Sequence, residues 1–252
     1  MGFLDDLFGK SKFVNKGSKS EQPKPEAPKA EQPKLAQMPE QQPARSINID
    51  TSRAEAPRPA IGDEPDSPVP FGYKCDWLCI KSDSTLDVIE KLGLKNAEPS
   101  NWDKGIEMAY NGYRFVSPVL DGYVLVVNFG MDVLTLAPEL LNQAANHFPE
   151  LQFFVTQRVS DYHAWAKYEN GEMVRGYGWC GCDGTVFLNT GELTLEEVRL
   201  GFTNLLPTEE EEDWDKYKTP DEEYVMELAA AWGVDPSFSS KDYPKGMGYI
   251  CR

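Results

Sequence analysis

The chain predicts an α+β fold: antiparallel sheet(s) with helices packed on one face. Three observations carry this expectation. Two β-rich runs, 161–169 and 172–179, flank Asn170-Gly171, the pair that a two-residue type I′ hairpin turn prefers because both central residues take positive φ. Further short apolar runs are punctuated by Asn111-Gly112 and Asp121-Gly122, as strands between tight turns are. Finally, Ser84-Thr-Leu, Leu134-Thr-Leu and Leu193-Thr-Leu each stand at the start of an apolar stretch with helical spacing. With the strand count, that recurrence also suggests two diverged α-β-β-β halves, 84–130 and 135–191.

In chain order, Lys74–Ile80 reads as a strand. Ser84-Thr-Leu-Asp87 has capping-box form and opens a helix with Leu86, Val88, Ile89 and Leu92 on its apolar side, closing at Gly93. Ile106–Tyr110, Tyr113–Val119 and Tyr123–Asn128 read as strands. A helix follows near Thr135, with Leu136, Leu140, Leu141, Ala144, Ala145 and Phe148 at helical spacing, and then a strand over Leu151–Gln157. In the hairpin, a two-residue loop pairs residues whose numbers sum to a constant. This puts Tyr162, Ala164, Ala166 and Tyr168 on one face with Met173, Arg175, Tyr177 and Trp179, and His163, Trp165 and Lys167 on the other. Thr185–Asn189 is a further strand. Thr194-Leu-Glu-Glu197 is a capping box, and Thr219-Pro-Asp-Glu222 places Thr as cap and Pro at the first helical position of a helix that stops at Gly233. Residues 235–252 read as irregular.

Composition divides the chain into three parts: a short amphipathic helix over 1–10, a disordered Pro/Lys/Glu/Gln-rich linker over 11–70, and one acidic domain over 71–252. Eleven of the 19 prolines fall in residues 1–70, and such a segment has too little apolar surface to offset the entropy of ordering. Charge divides at the same place. Residues 1–70 hold 10 Lys/Arg against 11 Asp/Glu, so of the net charge of −16, −15 sits on 71–252. That balance argues against nucleic acid and anionic lipid as partners; it reads first as solubility, and a protein partner with basic character is the sharper reading. A secretory leader and a membrane span are both not expected, and an odd cysteine count of five does not suit a disulfide framework; the expected compartment is the cytoplasm. The oligomeric state is not legible.

The candidate site residues fall in three groups. Phe3, Leu4, Leu7 and Phe8 share one side of a short helix with Asp5 and Asp6 opposite, which reads as an N-terminal docking peg. His163, Trp165, Arg175, Tyr177 and Trp179 make the hairpin the richest candidate surface or pocket, since Tyr, Trp and Arg dominate interface hot spots. Core packing is the leading reading for the face that carries Arg175, Tyr177 and Trp179 with Tyr162, Ala164, Ala166 and Tyr168, and Arg175 is the residue on it that packing does not explain. Cys75, Cys79, Cys180 and Cys182 are four thiols that could in principle surround zinc, although Cys-x3-Cys is a loose spacing and a strand cysteine often packs as a small hydrophobe. The two histidines, His147 and His163, lie in no nucleophile motif, and no phosphate-cradling glycine loop occurs. No catalytic residue, metal or cofactor is therefore assigned.

The segment Thr156–Tyr177, continuing to Gly191-Glu-Leu-Thr-Leu-Glu-Glu197, together with Phe115–Val127, Pro220-Asp-Glu-Glu and Ala231-Trp-Gly-Val-Asp-Pro236, resembles uncharacterised bacterial proteins of the immunity or accessory kind that accompany toxin systems. The resemblance implies a non-enzymatic, protein-binding domain, extending to toxin neutralisation, and brings no catalytic residues with it. The alternative expectation is an enzyme or small-ligand binder with a cleft near the 161–179 hairpin.

Overall fold

The computed structural model describes residues 64–182, 184–203 and 219–252. The N-terminal peg and most of the linker lie outside these residues. Nine antiparallel strands form a single sheet in the order β2-β9-β3-β4-β1-β5-β6-β7-β8. They are β1 (Cys75–Lys81), β2 (Glu98–Ser100), β3 (Arg114–Val116), β4 (Tyr123–Val127), β5 (Glu150–Gln157), β6 (Tyr162–Glu169), β7 (Glu172–Cys180), β8 (Thr185–Thr190) and β9 (Gly248–Cys251). The helices are α1 (Thr85–Lys91), α2 (Trp102–Tyr110), α3 (Val133–Leu136), α4 (Pro138–Ala145), α5 (Leu195–Arg199) and α6 (Glu222–Trp232). The α+β class and the antiparallel sheet match the expectation.

Helices, however, cover both faces of the sheet rather than one. Side chains alternate across a strand. On central β1, Cys75, Trp77 and Cys79 join a core with Trp102 and Ile106 of α2 and Tyr224, Leu228 and Trp232 of α6. Leu78 and Ile80 point the other way, into a core with Val88 of α1 and Leu141 and Ala145 of α4. A central strand with both neighbours paired and both faces covered has no solvated side, which is why β1 reads as six consecutive buried residues.

Several local expectations change. Ile106–Tyr110 belongs to α2, whose N-terminus is capped twice: the Asn101 side chain accepts from Lys104 N–H, and the Asp66 carboxylate accepts from Trp102 N–H at 2.6 Å and Asp103 N–H at 3.0 Å. Residues 84–130 thus run α-β-α-β-β and residues 133–190 run α-α-β-β-β-β, so the two halves do not repeat an α-β-β-β unit. Asp66 also bridges to Gly246, and Val69 packs on the core. Asp66 and Val69 thus belong to the packed part of the chain. The cap of α6 is Asp221, whose carboxylate accepts from Tyr224 N–H at 2.7 Å, rather than Thr219. The C-terminal stretch is not wholly irregular, since β9 inserts between β2 and β3.

The hairpin forms as expected, with Asn170 and Gly171 at φ 51° and 86°, but its register does not stay constant. Glu169 faces Glu172 and Tyr168 faces Met173; after an irregularity at Lys167/Tyr168, Lys167 faces Arg175, Trp165 faces Tyr177 and His163 faces Trp179. Val174 is the extra residue of this bulge. One inserted residue exchanges the faces of everything beyond it. Arg175, Tyr177 and Trp179 consequently join His163, Trp165 and Lys167, and Ala164 and Ala166 face Gly178 and Gly176 on the opposite side.

Candidate functional site

The hairpin residues singled out in the sequence meet, but in the interior. Trp165, Arg175, Tyr177, Trp179 and His163 are all buried. The register exchange brings Arg175 under Trp165, and α5 supplies the counter-charge. Arg175 Nε donates to both carboxylate oxygens of Glu197, at 2.9 and 3.0 Å, and Trp165 Nε1 donates to the same carboxylate at 2.8 Å. Arg175 Nη1 donates to Asn189 Oδ1 at 2.9 Å and to the carbonyls of Gly176 and Thr190 at 3.2 and 3.1 Å. Glu197 completes its own capping box by accepting from Thr194 N–H at 2.8 Å. A charge pair removed from water is tolerable only when its remaining hydrogen-bonding capacity is also met, and this network meets it.

Phe202 and Tyr224 close the network over: Phe202 lies edge-on to Trp165 and Tyr177, with ring centroids 5.2 and 4.8 Å away, and Tyr224 is 5.3 Å from Trp165. His163 Nε2 pairs with Asp161 at 3.1 Å, and burial holds its pKa below the ordinary histidine value despite that carboxylate. The arrangement fixes α5 and α6 to the sheet with these side chains buried. Of the cysteines, Cys75 and Cys79 are buried on β1, and Cys180 and Cys182 lie two strands beyond β5, at the β7–β8 turn. Among the described residues no group of three or more His, Cys, Asp or Glu gathers where it could hold a metal ion, so the four thiols do not converge.

The opposite face of the sheet holds a half-open cavity of about 650 Å³ between α1, α3, α4 and the end of β9. Its size lies in the ordinary range for small-molecule sites, roughly 300–1,000 Å³. Leu92, Leu94, Met131, Val133, Leu136 and Leu140 give it apolar walls. Its charged lining is Lys91, Arg114 and Arg252 against Asp132, with His147 at the rim. Three of the 15 Lys/Arg in residues 71–252 thus collect at one cavity of a domain with 30 Asp/Glu.

Local sequence explains how these groups are placed. Lys91 occupies the last turn of α1, where a cation is favoured by the helix dipole, and pairs with Asp87 one turn back at 2.8 Å. Arg114 starts β3 and donates to Phe129 C=O at 3.5 Å. Arg252 follows β9 and donates to Tyr113 Oη at 3.3 Å, with its guanidinium 5.4 Å from that ring. The 128–132 loop forming one wall is shaped by Asp76 of β1: its carboxylate accepts from Gly130 N–H at 2.6 Å and its carbonyl accepts from Asn128 N–H at 2.8 Å. Burial pushes the Asp76 carboxyl up to about 6, against the opposing pull of the Gly130 and Phe129 amides and of Arg114.

None of the cavity's cations was singled out in the sequence, because they come from α1, β3 and the C-terminal strand and share no motif. A signal did exist. Leu141, Ala144, Ala145 and Phe148 already supply a full core stripe, and Leu136 and Leu140 widen it beyond what one sheet contact can cover. In the structure these two are 78% and 48% exposed and edge the cavity. Among the described residues no helix is long and apolar enough to cross a membrane. No family model, curated protein or solved structure matches the chain.

Proposed function

We propose that the domain is a non-enzymatic binding module whose cavity between α1, α3, α4 and β9 takes a small organic anion with an apolar body. The observation that carries this reading is the gathering of Lys91, Arg114 and Arg252 around apolar walls in a domain of net charge −15. Elsewhere in such a domain an anion is repelled; at this cavity the cations offset the field, and Arg114 and Arg252 offer planar donors suited to a carboxylate or sulfonate. Leu136 and Leu140, which expose apolar surface at the rim, would lose it to the ligand's apolar part. This cavity lies on the other face of the sheet from the cleft expected near the 161–179 hairpin.

Titration calorimetry with decanoate, and with decanol as the uncharged comparison, tests this. Decanoate should bind and decanol should bind weakly or not at all. The Arg114→Gln/Arg252→Gln double variant should lose about tenfold or more in affinity, the worth of one charge-assisted hydrogen bond. Equal binding of decanol, or an unaffected double variant, would remove the anion from the proposal; no heat with either probe would remove the ligand.

A second reading, protein binding extending to toxin neutralisation, is supported by the charge distribution. With three of its cations drawn to one cavity, the remaining surface is the more strongly acidic, which suits steering toward a basic partner. A partner captured at low salt and released at high salt, with the Arg114/Arg252 variant unaffected, would favour this reading over the first.

A further inference from the structure

We infer that Cys180 and Cys182 form a redox-active dithiol that exchanges with low-molecular-weight disulfides at the β7–β8 turn, a site separate from the cavity. The two Sγ atoms are 2.8 Å apart, and a disulfide bond is about 2.05 Å long, so closure asks for a shift of less than about 1 Å. This proximity is built into the turn. Cys180 is held as the last residue of β7 facing Thr185 of β8, and Gly181 N–H donates to the Asp161 carbonyl at 2.8 Å. Gly181 passes so close to Asp161 that a Cβ there would displace the Asp161 side chain, and the turn returns Cys182 toward Cys180.

Exposure separates this pair from the other thiols. Cys182 is exposed and Cys180 half-buried, whereas Cys75, Cys79 and Cys251 are buried in the two cores. Burial also raises those three thiols, Cys75 to about 12, disfavouring their reactive thiolate form. The exchange balances as two displacements. Cys182 thiolate attacks one sulfur of the external disulfide and releases its other half as a thiolate. Cys180 thiolate then attacks Cys182 Sγ and releases the second half. The protein loses two protons and two electrons, and the disulfide becomes two thiols. An exposed bridge closing so short a loop is of the readily reduced kind, which makes the exchange reversible.

The test equilibrates the full chain in buffers of graded reduced and oxidised glutathione, quenches with iodoacetamide and maps each cysteine by peptide mass spectrometry. The peptide carrying residues 180 and 182 should lose two hydrogens as the buffer becomes oxidising and regain them on reduction, with Cys75, Cys79 and Cys251 unchanged. Cys180→Ser should retain a glutathione adduct at Cys182 that the native chain resolves. Alkylation of both thiols throughout the series, an adduct at Cys182 persisting in the native chain, or oxidation only as links between chains would each overturn the assignment. The Cys180→Ser/Cys182→Ser variant should bind decanoate as the native chain does, which keeps this outcome apart from the cavity's.

Discussion

The two faces of the sheet handle charge in opposite ways. On the face under α5 and α6, one cation and one anion are taken fully out of water, with Arg175 Nε bonded to Glu197 and Nη1 to Asn189 and the Thr190 carbonyl. On the face under α1, α3 and α4, the core beside the sheet is mostly aliphatic, and Arg114, Arg252 and the Asp87-paired Lys91 line an open cavity. The contrast teaches where to look for function in a chain without catalytic motifs. The more conspicuous cluster, rich in Trp, Tyr and Arg, is spent on holding the molecule together. The less conspicuous one lines an open cavity.

The sharpest way to break this contrast is Glu197→Ala. It leaves Arg175 buried without its counter-ion and Trp165 Nε1 without an acceptor, and should cost about 3–5 kcal/mol in denaturant unfolding. A loss below about 1 kcal/mol would mean that the network is not structural. Next in size is the pH response of Asp76. Its folded pKa of about 6 lies above the ordinary 3.8, so the native state binds the extra proton between those values. Stability should therefore fall as pH rises from about 4 to about 6, by up to about 3 kcal/mol, and stay lower above. Asp76→Asn retains an acceptor for Gly130 N–H and should flatten that part of the curve; an unchanged slope would place its origin elsewhere.

His163, on the other face, acts with the opposite sign. Its pKa is lowered by burial, so the unfolded chain binds the proton more readily, and its contribution is complete above about 6.5 and lost as pH falls below that value. His163→Gln should remove this smaller component in the same unfolding series, and a curve identical to the native one would contradict it. Smallest of all, Arg114→Gln should change stability by less than about 1 kcal/mol while weakening decanoate binding. A large stability loss in that variant would make the two faces alike.

The reach of sequence reasoning follows the range of the interactions involved. The Asn170-Gly171 turn, the Thr194/Glu197 capping box and the stop of α1 at Gly93 are decided within a few residues, and each stands as expected. Asn101, Trp102, Ile106 and Ala109 already have the cap and spacing of α2, but the Asn111-Gly112 pair after them is also what ends a strand. The bulge at Val174 carries no glycine or proline to mark it, and a single residue was enough to reverse which side chains share a face. Arg175 did stand out as unexplained by packing, yet its partner lies 22 residues on, in a helix whose glutamate already had a local task. The cavity was least visible of all, since its cations are brought together only by strand order.

That double employment of Glu197 has a kinetic side. α5 has five residues, too few to persist alone in water, and its capping glutamate is at the same time the anchor of Arg175 on β7. A helix so tied cannot fray independently of the sheet beneath it. Its amide protons should exchange with solvent at the pace at which β7 itself opens, making a five-residue helix report on a nine-residue strand.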